Sequence, residues 1–303
     1  MSTSTSEQVS GAAVSARAAG SAPAATPTAL RRRAIKLPPS AWLGLGMTAL
    51  VVLLAIFAPL LAPHPVNDQD LGRSLAPPFW LEGGSLDSPL GADYQGRDLL
   101  SRLLYGARTS LIVGVSAVLL AGCIGAPLGL IAGYFGGAVD EVLMRLADAQ
   151  LALPPIVLAI GVLTMTGSSL PTIVAVLGVI GWVQYARVVR GQTLSLRERE
   201  YVLAARVCGA RDRRIIFRHI FPNTLGPMLV IATVNVSGMI LAEASLSFLG
   251  IGIRPPTAAW GTMLSEGREV FATAWWNAVF PGLAIVWTVF GINLLGDAWQ
   301  QRR

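Results

Sequence analysis

Few side chains in this 303-residue chain can do chemistry, and their placement excludes most kinds of it. The histidines are His64 and His219 and the cysteines are Cys123 and Cys208. Cys123 sits in an apolar run and Cys208 in a basic one, so neither a disulfide framework nor a converging set of metal ligands can be built from them. Ser237-Gly238 lies inside another apolar run, but neither histidine is placed to meet a serine there, which removes serine-type hydrolysis. The one lysine, Lys36, is followed by Leu37. A phosphate-cradling loop needs Gly-Lys-Ser/Thr, so this chain holds no nucleotide of that kind. If ATP drives the protein, another subunit must hydrolyse it. No catalytic residue, metal or cofactor is assigned to the chain.

What the sequence offers instead is arginine in one place. The segment Glu200–Pro222, EYVLAARVCGARDRRIIFRHIFP, carries Arg206, Arg211, Arg213, Arg214 and Arg218, with Arg187, Arg190, Arg197 and Arg199 just before it. Tyr201 to Cys208 contains good helix formers and no breaker. Gly209 is suited to end that helix in a left-handed conformation. Asp212 is suited to cap the next one, and Pro222, which disfavours a helical Phe221, to stop it. The expected element is a pair of short helices within a loop spanning about 191–224. Anionic lipid at a membrane surface is the plainer reading of such a basic loop.

The rest of the chain supplies the membrane. It is 53% hydrophobic and 13% charged with mean hydropathy +0.59, too apolar for an ordinary soluble domain. A span needs ~20 mostly apolar residues. Six stretches qualify: Trp42–Leu61, Leu111–Tyr134, about Leu146–Met165 with Pro154 and Pro155 inside it, Leu170–Val189, about Leu225–Leu246, and Ala278–Leu295. With both termini inside, the inner segments hold seventeen Lys and Arg, nine of them in Arg187–Arg218, against six outside. That bias places the arginine-rich loop in the cytoplasm. It also accounts for the net charge of +6 without nucleic acid. Residues 1–39, rich in Ala, Ser, Thr and Gly with a late Arg31-Arg32-Arg33 cluster, read as a disordered basic cytoplasmic tail. Ala121, Gly125, Gly129 and Gly133 form a small-residue stripe that suits close internal helix packing.

Several runs are similar to those of a known family. Leu203-Ala204-Ala205, three residues, then Gly209, with Pro222 at the end and His219 before it, resembles the cytoplasmic coupling loop of ABC-importer permeases. The family's glutamate is replaced by Leu203. LGADYQGRDLLSRLLYGARTSL (Leu90–Leu111), LAEASLSFLGIGIRPPTAAWGTMLSEGREVF (Leu241–Phe271), Ala274–Trp276, Phe280–Ile285 and Asn293–Asp297 resemble the second, C-type membrane subunit of dipeptide, oligopeptide and nickel importers. The likeness runs from about Trp42 to Asp297. It implies an all-α integral membrane fold, with residues 40–303 as a six-span permease domain in a bacterial inner membrane. It also implies a homologous second permease, two ATP-binding cassette subunits that hold the ATP, and an extracytoplasmic substrate-binding protein. Leu203, Ala204, Ala205, Gly209, Asp212, His219 and Pro222 are then the residues expected to couple to the ATPase.

Polar residues within the spans are the candidates for a pathway. Asp148 stands at a solvated span end. For Glu243, near the outer boundary, two roles stand: gating or contacting substrate, and a water-exposed structural anchor. Asn235, Ser237 and Asn293 suit hydrogen bonds between helices, with lining a pathway as the alternative. Asp98 and Arg102 are spaced to pair across one turn, and Trp260, Trp275 and Trp276 to anchor at the interface. With Pro255 and Pro256, the Trp260–Val270 stretch suggests an outer cap on which a substrate-delivering protein docks. The expected function is a peptide importer's permease. Its rivals are a nickel or other small-solute permease of the same architecture, and a stand-alone channel or ion-coupled carrier, which would place more charge mid-membrane.

Overall fold

The computed structural model describes residues 39–300. The expected tail and the terminal Arg302 and Arg303 therefore lie outside the described residues, except that Pro39, placed in the tail from sequence, opens the first helix. There its missing N–H costs no helical hydrogen bond. The regular elements among the described residues are helices: α1 (Pro39–Ile56), α2 (Ala58–Leu61), α3 (Leu99–Phe135), α4 (Gly137–Leu151), α5 (Pro155–Thr166), α6 (Leu170–Arg197), α7 (Glu200–Val207), α8 (Asp212–Ile215), α9 (Phe221–Phe248), α10 (Trp260–Glu269) and α11 (Trp276–Gln300). A π turn over Ile216–Ile220 joins α8 to α9.

Five helices are long and apolar enough to cross a membrane, and α4 with α5 make a sixth crossing if that bent pair is one span. The pair bends by 83° where Pro154 and Pro155 interrupt the ladder. Several helices are longer than the spans the sequence suggested, the fourth span running on to Arg197. The second begins at Leu99, and the fifth is one continuous helical run from Asp212 to Phe248.

That continuity corrects the role given to Pro222, which does not end a helix. The preceding turn is widened, with the Phe221 N–H bonded to the Ile216 carbonyl five residues back. The proline's missing donor then falls in a turn already out of α register, and the helix continues. The expected pair of short helices is thus α7 followed by the first turns of a span.

The small-residue stripe lies on the α3–α6 contact. A Cβ on Gly125 would stand 2.3 Å from the Trp182 carbonyl oxygen, and one on Gly129 2.4 Å from that of Ala186. Backbone against backbone at this distance leaves no room for any side chain, which fixes α3 and α6 as the rigid centre of the molecule. Beside it, α9 packs on α3 through Ile240 over Gly114, and α1 packs on α11 with Gly44 against Gly291 and Leu294.

Candidate functional site

The basic hairpin is built by its turn. The Gly209 N–H bonds to the Arg206 carbonyl at 3.0 Å and the Ala210 N–H to that of Ala205 at 3.0 Å. Gly209 itself has φ +77°. These are the two bonds and the left-handed residue of a Schellman C-cap. Ala205 and Ala210, the flanking positions, both pack on one apolar cluster with Val202, Ile215, Ile220 and Val189. The turn therefore seats α7 against the ends of α6 and α8.

Asp212 does not cap. Arg211 occupies the N-cap position without a side-chain bond, and Asp212 is the first helical residue. Its carboxylate instead accepts from the Tyr134 hydroxyl at the end of α3, and the Arg206 guanidinium lies 5.7 Å from the Tyr134 ring centre. The carboxylate is committed to fastening the hairpin to α3, so the free N–H groups of α8 go without it.

With Val202 and Ala205 turned inward, α7 presents Leu203 and Val207 outward, four residues apart on one stripe. Val207 is 88% exposed and Leu203 45% exposed. Ala204 beside them is also exposed. His219 is half-buried on the π turn with its ring 6.4 Å from that of Tyr201. Pro222 is exposed in the first turn of α9. The seven coupling candidates thus gather on one hairpin, and its outer face is apolar where the family's glutamate would stand.

The four pathway candidates do not gather. Glu243 is fully buried between α3 and α9, where its carboxylate accepts from Ser110 at 3.2 Å and Ser247 at 2.7 Å. The water-exposed anchor is therefore incorrect: the packing of α9 on α3 encloses the residue in spite of its distance along the helix. Ser237 donates to the Asn293 Oδ1 at 2.7 Å, pinning α9 to α11. Asn235 faces a cavity of about 210 Å³ between the α4–α5 break, α6 and α9, with Gln150 and Gln184 also on its wall. Asp148 is exposed and pairs with Arg187 at 2.6 Å.

Sequence reasoning missed an ionic cluster at the start of α3 and in the segment preceding it. Asp98 and Arg102 do not pair with each other. Asp98 caps α3, accepting from the Ser101 N–H at 2.7 Å. Arg102 binds Asp93 and, at 2.9 Å, Glu266 of α10, while Arg97 binds Asp93 at 2.6 Å and Glu266 at 3.1 Å. Both arginines are at most 2% exposed. Trp260 and Trp276 are likewise buried rather than interfacial; the Trp260 indole N–H donates to the Leu103 carbonyl at 3.0 Å. Trp275 alone keeps an exposed face. The available signal was the density of charge in LGADYQGRDLLSR together with an acid in α10.

Comparison with known proteins adds two domains and a set of relatives. Residues 125–302 match the binding-protein-dependent transport system inner membrane component, and residues 26–78 the N-terminal membrane domain of oligopeptide transport permease C. The chain is 42% identical over 254 residues to the di/tripeptide transport system permease protein DppC of Pseudomonas aeruginosa, covering 84% of each. It is 41% identical to the dipeptide permease DppC of Haemophilus influenzae, covering 85% of this chain and 87% of that one. To the oligopeptide permease OppC of Bacillus subtilis it is 40% identical, covering 88% and 85%. A solved inward-facing MetNI methionine ABC transporter aligns with TM-score 0.53 at 18% identity, over 65% of this chain and 93% of that one, and so shares the fold.

Proposed function

The chain belongs to the binding-protein-dependent transport system inner membrane components, and from that premise we propose that it is the permease subunit of an ATP-driven importer of di- and oligopeptides. The substrate class rests on one observation: relatives sharing 40–42% identity over more than four fifths of the chain are named as dipeptide, di/tripeptide and oligopeptide permeases. That favours peptides over nickel. In this reading the chain forms half of a pathway with a homologous second permease. Two ATP-binding cassette subunits bind and hydrolyse the ATP, and an extracytoplasmic protein delivers the peptide. The chain lies in the bacterial inner membrane with both termini and the 191–224 loop in the cytoplasm.

The mechanism follows from how the hairpin is held. Leu203, Ala204 and Val207 offer an apolar ridge to a cleft on the ATPase. The Schellman turn and the Asp212–Tyr134 bond join that ridge to α3, α6 and α9 without a flexible linker. Closure of the two ATPases on ATP would displace the ridge, and the close-packed α3–α6 centre would carry the displacement to the pathway as a rigid-body tilt in alternating access. Deleting the gene and measuring uptake of a labelled dipeptide and of nickel tests the assignment. Dipeptide uptake should fall to background with nickel uptake unchanged; the opposite pattern would replace peptide by metal as cargo.

A further inference from the structure

We propose that the start of the fifth span is a binding site for one anionic phospholipid. Arg211, Arg213, Arg214 and Arg218 line a single concavity that also includes Phe217 and Pro222. None of the four arginines has a carboxylate within 4 Å among the described residues, whereas Arg187, Arg190 and Arg197 on the neighbouring α6 all do. Four unneutralised guanidiniums around one hollow suit a phosphate, which arginine binds through parallel N–H donors.

Phe217 is also on the wall of a second feature, an apolar groove of about 550 Å³ between α9 and α3. One wall is a row at four-residue spacing, Phe217, Phe221, Leu225 and Leu229; the other is Leu119, Cys123, Pro127 and Ile131 at the same spacing on α3. From Phe217 to Leu229 the row rises roughly 18 Å at ~1.5 Å per residue. That is close to the depth of one leaflet, half of a hydrocarbon core ~30 Å thick. A cationic hollow that shares its Phe217 wall with an apolar groove about one leaflet deep matches a phosphate headgroup with its acyl chain. An acidic protein surface would use the arginines and leave the groove unexplained. A second permease covering the groove would leave the arginines unexplained. The site needs α9 to span the membrane and is independent of the cargo proposed above, so either can fail alone.

The test is native mass spectrometry of the full chain in mild detergent, offered phosphatidylglycerol or phosphatidylethanolamine at equal concentration. The wild-type chain should retain one phosphatidylglycerol at least about fivefold more than phosphatidylethanolamine; equal retention would overturn the site without any variant being made. Arg214→Gln with Arg218→Gln should abolish the preference, and Leu225→Trp, which fills the groove, should lower phosphatidylglycerol retention about as far with every arginine present. Millimolar inorganic phosphate should leave the lipid bound. Displacement by phosphate together with an inert Leu225→Trp would make this a free-anion site and refute the lipid. Loss of ATPase co-purification in the arginine pair, with lipid retention unchanged, would give those arginines to the protein partner and also refute it.

Discussion

At the scale of single residues, Gly209 and Leu203 separate two demands on the hairpin proposed for coupling, its shape and its outer chemistry. No atom lies within 4 Å of where a Gly209 Cβ would stand, so replacing it meets a backbone cost and no collision. A β-branched residue at φ +77° pays about 1–3 kcal/mol, whereas asparagine visits that region more readily. Gly209→Val should leave the protein inserted and abundant while dipeptide uptake drops roughly tenfold, the equivalent of ~1.4 kcal/mol in the seating of α7. Gly209→Asn should keep most of it. Uptake, abundance and ATPase co-purification measured together check this, and equal uptake in the two variants would remove the turn from coupling. Leu203 tests the chemistry. Leu203→Arg should weaken ATPase co-purification by placing a charge in an apolar contact, whereas Leu203→Glu, the family's residue, should bring little gain, on the proposal that the partner surface is fitted to a leucine. Wild-type co-purification of the arginine variant would show that this side chain faces water. The glycine was legible in the sequence because it lies at the end of a run of helix formers. Asp212 was not, because an aspartate at a helix start is equally suited to a cap and to the tyrosine 78 residues away that it meets.

At the scale of elements, periodicity located the spans well and their ends poorly. The third crossing showed its prolines, but a hydropathy window has no means of distinguishing a straight tilted span from α4 and α5 bent by 83°. The fifth span began earlier than its apolar residues because arginine is a good helix former and the π turn absorbs Pro222. Long-range partners were the blind spot. Arg97 and Arg102 meet Glu266 across 169 and 164 residues, a separation at which spacing rules are silent. Those pairs join α10 to the first turn of α3 and the segment before it, so the cluster is what holds α10 there as a cap. Removing one member leaves the others charged and buried. Arg102→Ala should therefore cost about 3–5 kcal/mol locally, and Asp98→Ala, the lost helix cap, about 1 kcal/mol. Limited proteolysis of the 57–98 segment in the purified chain should show rapid cutting in the first variant and a small change in the second; comparable resistance in both would mean the cluster does not hold the cap. On α3 the contrast is steric. Gly125→Leu should remove the protein from the membrane altogether, since the new side chain would occupy the position of the Trp182 carbonyl.

At the scale of the whole molecule, function rests on sidedness: the apolar ridge of α7 meets an ATPase only if it faces the cytoplasm. Composition made the membrane class plain, and arginine placement gave an orientation, seventeen basic residues against six. Helix packing alone is symmetric with respect to inside and outside, so the bias has to be tested on the intact protein. The two cysteines make that possible. Both are exposed and free, but they sit in different places: Cys208 caps α7 at the end of the hairpin, and Cys123 is on the wall of the apolar groove within α3. In a Cys123→Ala background, a membrane-impermeant thiol reagent should leave Cys208 unlabelled in intact cells and label it once the membrane is opened. Labelling from outside would invert the topology, move the ridge to the wrong face for ATP, and with it withdraw the coupling role of the hairpin. With that orientation in place, the purified chain alone should bind and hydrolyse no ATP, having no Gly-Lys-Ser/Thr anywhere in its sequence, and turnover should appear only when the ATPase subunits are added. Saturable nucleotide binding by the chain on its own would contradict the division of labour between a subunit that moves cargo and subunits that supply the energy.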